Sequence, residues 1–234
     1  MILDYKYQLK KGQTAWQIAR MLKNGRVAEV KLVINKLRTK EDFAQLIGNQ
    51  FSTDSATVMQ FISNNDSLQA FGVDTSTFYA IIIQDTYQFY WDTPLRQILT
   101  KLKSYQEKFW DDIDRRNKLQ TKHLTDIEAY TLASIVDEET NVVSDKYKIA
   151  SVYINRLAKE MPLQACPTIK FAMNDFTITR IYEKYLSNPS PYNTYRKKGL
   201  PPGPICTPLP ATIDVVLNAP NTNYLYFVAK SDFS

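Results

Sequence analysis

Apolar positions alternate with polar ones at Tyr5, Tyr7 and Leu9, predicting a strand, and Lys11-Gly12 then marks a turn. Thr14 stands where a helix cap is expected, ahead of Ile18, Ala19 and Leu22 at helical spacing. The unit recurs: Val30, Leu32 and Ile34 alternate, and Thr39 precedes a helix with Phe43, Ala44 and Ile47. From residue 54 to 110 the rhythm is mainly helical. Ser55 opens a helix bearing Val58, Phe61 and Ile62, and residues 94–110 carry Ile98, Leu102, Tyr105 and Phe109 at helical spacing. The apolar, aromatic-rich run between them (78–91) reads as core. Residues 124–140 form a further helix, and Ser144 opens one with Ile149, Val152, Tyr153 and Leu157 on its buried face. Loops dominate 163–168, 191–195 and 199–205, and five of the eleven prolines fall between 201 and 210, fixing loop geometry. A helix over 211–217 and a strand over 224–229 close the pattern, so the expected class is α+β.

One residue breaks the logic of its helix. Thr125 and Glu128 form an S/T-x-x-E capping box, and at about 100° per residue Leu132, Ile135 and Val136 make an apolar stripe. Glu139 falls on the centre line of that stripe, whereas Asp137 and Glu138 are expected to project away from it. A carboxyl group facing apolar surroundings resists ionisation and can hold a proton near neutral pH, as a general acid must. The plainer alternative has Glu139 fraying into solvent or pairing with a lysine or arginine.

Composition narrows the chemistry. The chain has 234 residues, enough for a substantial core, and no run approaches the roughly 18 apolar residues of a membrane span. The start lacks the basic-then-apolar order of a signal peptide. A net charge of +5 without a block of like charges gives no sign of a nucleic-acid partner. The single histidine, His123, has no nucleophile motif beside it, and one His with two Cys makes a zinc site improbable. Six glycines include no phosphate-cradling loop, so no cofactor is expected and carboxylates are left to do any chemistry. Cys166 and Cys206 are open to pairing or to standing as two unrelated thiols. Fifteen tyrosines suit either core packing or stacking on sugar rings.

Several motifs, in order, resemble the YceG-like family of endolytic murein transglycosylases (the MltG group). They are Ala133-Ser-Ile-Val-Asp-Glu-Glu-Thr140, Ala150-Ser-Val-Tyr-Ile-Asn-Arg-Leu157 and Met161-Pro-Leu-Gln-Ala-Cys-Pro-Thr168, followed by Pro191-Tyr-Asn-Thr-Tyr195, Gly199-Leu-Pro-Pro-Gly-Pro-Ile205 and Tyr224-Leu-Tyr-Phe-Val-Ala229. The first strand–helix unit is similar to a LysM module, a binder of N-acetylglucosamine polymers. The resemblance implies a LysM-like subdomain over 1–53 and a mixed helix/strand catalytic domain over 54–234. It implies cleavage of the MurNAc–GlcNAc bond of peptidoglycan to leave 1,6-anhydro ends, with Glu139 as the catalytic acid. Gln164, Thr168, Tyr192, Asn193 and Tyr195 then become the expected saccharide-binding residues.

The implied partners are glycan strands and peptidoglycan synthases. The implied location is the outer face of the cytoplasmic membrane, held by an N-terminal anchor that this chain lacks. Two residues depart from the family pattern: Asp137 stands where Glu is usual, and Cys166 where Asp is usual. The chain also stops at Ser234, short of a family segment containing His and a terminal helix. These departures keep a second reading in view, a non-catalytic peptidoglycan-binding or cell-wall interaction protein. Asp137, Glu138, Asp145 and Asp175 also leave room for a hydrolase with a second carboxylate.

Overall fold

The structure is a computed structural model that describes residues 9, 11–23 and 29–228. The strand expected around Tyr5 and Tyr7 lies outside the described residues. In chain order the elements are α1 (Ala15–Lys23), β1 (Glu29–Val33), α2 (Lys40–Gln50), α3 (Ser55–Ile62), α4 (Asn65–Gln69), a 3₁₀ turn (Phe78–Ile81), β2 (Thr86–Tyr90), α5 (Leu95–Trp110) and α6 (Ile113–Lys122). Then come α7 (Asp126–Glu139), α8 (Val143–Ala158), α9 (Cys166–Ala172), α10 (Glu183–Leu186) and α11 (Pro210–Leu217).

The α+β class holds in its coarse form: among the described residues, helices accompany one small antiparallel sheet in which Val30 faces Phe89 and Leu32 faces Tyr87. Alternation does its usual work here, since Leu32, Tyr87 and Phe89 are buried and their neighbours along each strand are not. On α5, Leu95, Ile98, Leu99 and Leu102 form one buried stripe at i, i+3, i+4 and i+7. Burying each such side chain contributes roughly 1.5–3 kcal/mol. The strand expected over 224–229 is not formed in its described part. Residues 224–228 have no regular structure and no strand alongside among the described residues, and side chains hold their carbonyls: Asn155 Nδ2 donates to the Tyr224 carbonyl (2.9 Å) and Arg156 Nε to that of Leu225 (2.7 Å).

Two features fix the centre. α7 runs through the interior with every residue from Ala129 to Asp137 buried, and α8, α9 and α11 pack on it. Ala129, Ala133 and Ser134 are small enough to let those neighbours approach. The proline-rich loop is then sewn to its surroundings. Ile205 N donates to Ser134 Oγ (3.0 Å), Thr207 N to the Leu37 carbonyl (2.9 Å) and Leu37 N to Thr207 Oγ1 (2.8 Å). At Gly203 the loop presses on the backbone so closely that an added methyl would overlap the Ser76 carbonyl oxygen. His123, the single histidine, ends α6 in the left-handed conformation (φ 54°), its N–H donating back to the helix.

Candidate active site

The capping box forms as expected: Thr125 Oγ1 accepts from Glu128 N, and Glu128 Oε2 accepts from Thr125 N (2.8 Å). This sets the phase in which α7 surfaces, half-buried, at Glu138 and Glu139. Glu139 Oε1 accepts a hydrogen bond of 2.6 Å from the hydroxyl of Tyr153 on α8. Tyr153 is itself 1% exposed and meets the Phe227 ring edge-on at 5.8 Å. Burial pushes the Glu139 carboxyl above the ordinary carboxylate range, and the Tyr153 hydrogen bond and the Lys170 ammonium only partly oppose it. The negative end of the α7 dipole acts in the same direction as burial.

Cys166 opens α9 with its Sγ 3.2 Å from the Tyr195 hydroxyl. Tyr195 is pushed up by burial, then by Cys166 and Glu139, which places these groups in one neighbourhood with Tyr153. Cys166 is exposed, Cys206 buried, and both are free thiols. Gln164 holds a left-handed backbone (φ 51°), a conformation that costs a non-glycine residue about 1–3 kcal/mol. Its N–H donates to the Thr194 carbonyl (3.0 Å), and Arg156 reinforces the turn by donating to the Leu163 carbonyl (2.7 Å). The side chain of Gln164 is exposed, its Oε1 3.5 Å from the Arg156 guanidinium.

Other expected binders serve the frame instead. Thr168 is fully buried, donating to the Ala165 carbonyl (2.7 Å) and sharing a hydrogen bond with Thr194 Oγ1 (2.8 Å). Asn193 is also fully buried. Its amide donates to the carbonyls of Leu186 (3.0 Å) and Asn188 (2.8 Å), and its Oδ1 accepts from Tyr195 N (3.0 Å). Both therefore act through the loop that presents Tyr195, since neither polar group is left to meet a sugar. Tyr192 lines a separate cleft, its ring 4.7 Å from that of Phe171.

The expectation that Asp137 projects away from the interior is overturned. Asp137 is 2% exposed, because at this depth α7 has no solvent face. Oδ1 meets Lys146 Nζ at 2.5 Å and Thr212 Oγ1 at 2.6 Å, and Oδ2 meets Lys36 Nζ at 2.7 Å. Burial pushes this carboxyl up, but the hydrogen bonds from Lys146, Lys36 and Thr212 outweigh it and hold Asp137 below its ordinary value. Glu138 is paired with Lys36 (3.0 Å) and Arg38 (3.1 Å). Tyr153, Arg156, Lys36 and Lys146 are the participants that sequence reasoning misses. Helical spacing puts Tyr153 in the core but says nothing about its hydroxyl, and Lys36 arrives from 101 residues away.

With this geometry in place, comparisons give a consistent picture. A family model described as the YceG-like family matches residues 4–234. An endolytic murein transglycosylase of Bacillus subtilis (strain 168) is 39% identical over 145 residues, covering 60% of this chain and 38% of that protein. Another, from Streptococcus pneumoniae serotype 2, is 35% identical over 115 residues, covering 47% of this chain and 21% of its own length. The matches thus span well under half the length of these curated relatives. The crystal structure of a YceG-like protein from Listeria monocytogenes superimposes with a TM-score of 0.73 at 28% identity, covering 95% of this chain and 78% of that one.

Proposed function

The chain belongs to the YceG-like family, and from that premise we propose that it is an endolytic peptidoglycan lytic transglycosylase with Glu139 as its acid and base. The observation that carries this reading is a contrast of carboxyl groups. Glu139 is pushed toward its protonated form and has a single hydrogen-bond donor among the described residues, Tyr153, whereas the other candidates are engaged: Asp137 and Glu138 by lysines and Arg38, Asp145 by Lys148, and Asp175 by Thr177. One carboxyl group suffices when the nucleophile belongs to the substrate. Glu139 donates its proton to the leaving glycosidic oxygen as the bond from C1 breaks. The resulting carboxylate takes the proton from the muramic acid C6 hydroxyl, and that oxygen closes on C1. The product is a 1,6-anhydro end, and Glu139 is left protonated for the next turn.

Tyr195 and Gln164 flank the acid as sugar contacts, with Thr168 and Asn193 holding their loops. Residues 1–53 serve as a LysM-like unit, for which Trp16, 68% exposed with Arg20 over its ring at 5.3 Å, offers an aromatic face. No helix among the described residues is long and apolar enough to cross a membrane. The family reading places this part on the extracytoplasmic side of the cytoplasmic membrane, with peptidoglycan synthases as partners.

The test is mass spectrometry of purified glycan strands after incubation with the chain and with Glu139→Gln. Anhydro-ended fragments from the parent alone support the reading. Reducing ends would make it a hydrolase. Binding without cleavage, persisting after Cys166→Asp, would make it a binding protein.

A further inference from the structure

A second cleft, of about 380 Å³, opens between the start of α2, the loop before the 3₁₀ turn and α9, and Glu139 does not line it. Two of its lining residues carry donors with no acceptor among the described residues. The Tyr79 hydroxyl is buried and has no hydrogen-bond partner among the described residues. An unmade bond of that kind costs about 1–3 kcal/mol. Lys40 is half-buried and has no ion-pair partner within 4 Å among them. Burial pulls its ammonium down, and the more distant charges of Glu41 and Asp74 act against that. The walls are aromatic, with the Tyr192 ring tilted against that of Phe171 at 4.7 Å. Exposed Glu41 stands at the rim.

Two unsatisfied donors, one of them cationic, call for an acceptor that carries negative charge. A neutral sugar ring offers hydroxyls that donate as readily as they accept, and leaves the ammonium with only the more distant charges of Glu41 and Asp74. A short peptide offers a carboxylate for Lys40 and Tyr79, an apolar stem for Phe171 and Tyr192, and an amino group for Glu41. We propose that this cleft receives the peptide arm borne by the muramic acid residues of a glycan strand, its carboxylate taken by Lys40 and Tyr79. The assignment rests on the murein-cleaving reading of the neighbouring site. It makes the protein a reader of peptide-substituted strands and gives Tyr192 a role apart from Glu139.

The test is calorimetric titration of the chain with a soluble GlcNAc–MurNAc disaccharide bearing its peptide, and with the same disaccharide after enzymatic removal of the peptide. Neither probe contains the MurNAc–GlcNAc bond, so binding is read without turnover and stands or falls apart from Glu139. The parent is expected to bind the peptide-bearing probe about ten-fold more tightly, the scale of a hydrogen bond to a charged group. Lys40→Met is expected to abolish that preference and Tyr79→Phe to reduce it, both leaving the peptide-free probe unaffected. Tyr79→Phe removes an unpartnered hydroxyl, so its melting temperature is expected to match or exceed the parent's, which guards against misreading a folding defect. Equal affinity of the parent for the two probes, a preference unchanged in both variants, or equal losses for both probes would overturn the proposal.

Discussion

Around Asp137 the protein gathers two ammonium groups and a hydroxyl; around Glu139, two residues along the same helix, it places a tyrosine hydroxyl and the more distant charge of Lys170. Both carboxyl groups are withdrawn from water, so burial pushes both up. Only the first receives enough compensation to reverse the effect. Burial alone therefore does not decide what a carboxyl group becomes; the number and charge of its donors do. One becomes a permanent anion that ties α7 to α8, α11 and the segment after β1. The other is left able to exchange a proton.

The sharpest way to break this contrast is Glu139→Gln, which keeps the shape and removes the proton. It is expected to lower strand cleavage by about 10²–10⁴-fold, the range for a general acid, scored by anhydro-ended fragments per unit time. The counterpart, Asp137→Ala, is expected to cost about 3–5 kcal/mol of stability in urea denaturation at pH 7, because it strands the buried ammonium of Lys146 and leaves Lys36 with Glu138 alone.

The pH dependence of stability then separates the pair. The lowered value of Asp137 means its contribution is fully present above the unfolded carboxylate range and lost as pH falls from that range through the lower folded value, so the penalty of Asp137→Asn shrinks in acid. The raised value of Glu139 means the parent loses stability as pH climbs from the unfolded carboxylate range to the folded one. Glu139→Gln is therefore expected to gain relative to the parent across that window. Parallel slopes for the two variants would refute the contrast.

Tyr153→Phe is expected to act more gently. Tyr153 favours the Glu139 anion, so its loss raises the carboxyl further and moves the alkaline limb of the activity profile upward, with cleavage falling by about ten-fold or less as the acid loses its anchor. A limb that moves downward would contradict the assigned direction. The smallest perturbation is chemical: Cys166 is expected to react promptly with a thiol reagent in the native protein, and Cys206 only on unfolding.

Local signals carried much of this structure into view. The capping box at Thr125 set the phase of α7, and phase alone singled out Glu139. Alternation at Val30 and Leu32 gave β1, and the stripe from Ile98 to Leu102 gave α5. What stayed hidden depended on distant chain. β2 escaped notice because Thr86–Tyr90 sits at the end of an apolar run that masks its alternation. Asp137 was placed wrongly because a helical wheel assumes one wet face, and α7 has none at that depth. Residues 224–228 are aromatic and apolar as strands often are, but a strand also needs a neighbour. Thr168 and Asn193 have the right functional groups for a sugar, and only the folded loop shows that those groups are already used.

Gly203 carries a consequence of a genetic kind. The Ser76 carbonyl that it abuts belongs to a residue that lines the second cleft together with Tyr192. Every missense codon at 203 must therefore displace the wall of the peptide cleft as well as the proline loop. In a selection for restored function, second-site suppressors of such alleles are expected to gather at residues 74–77, away from the mutated loop.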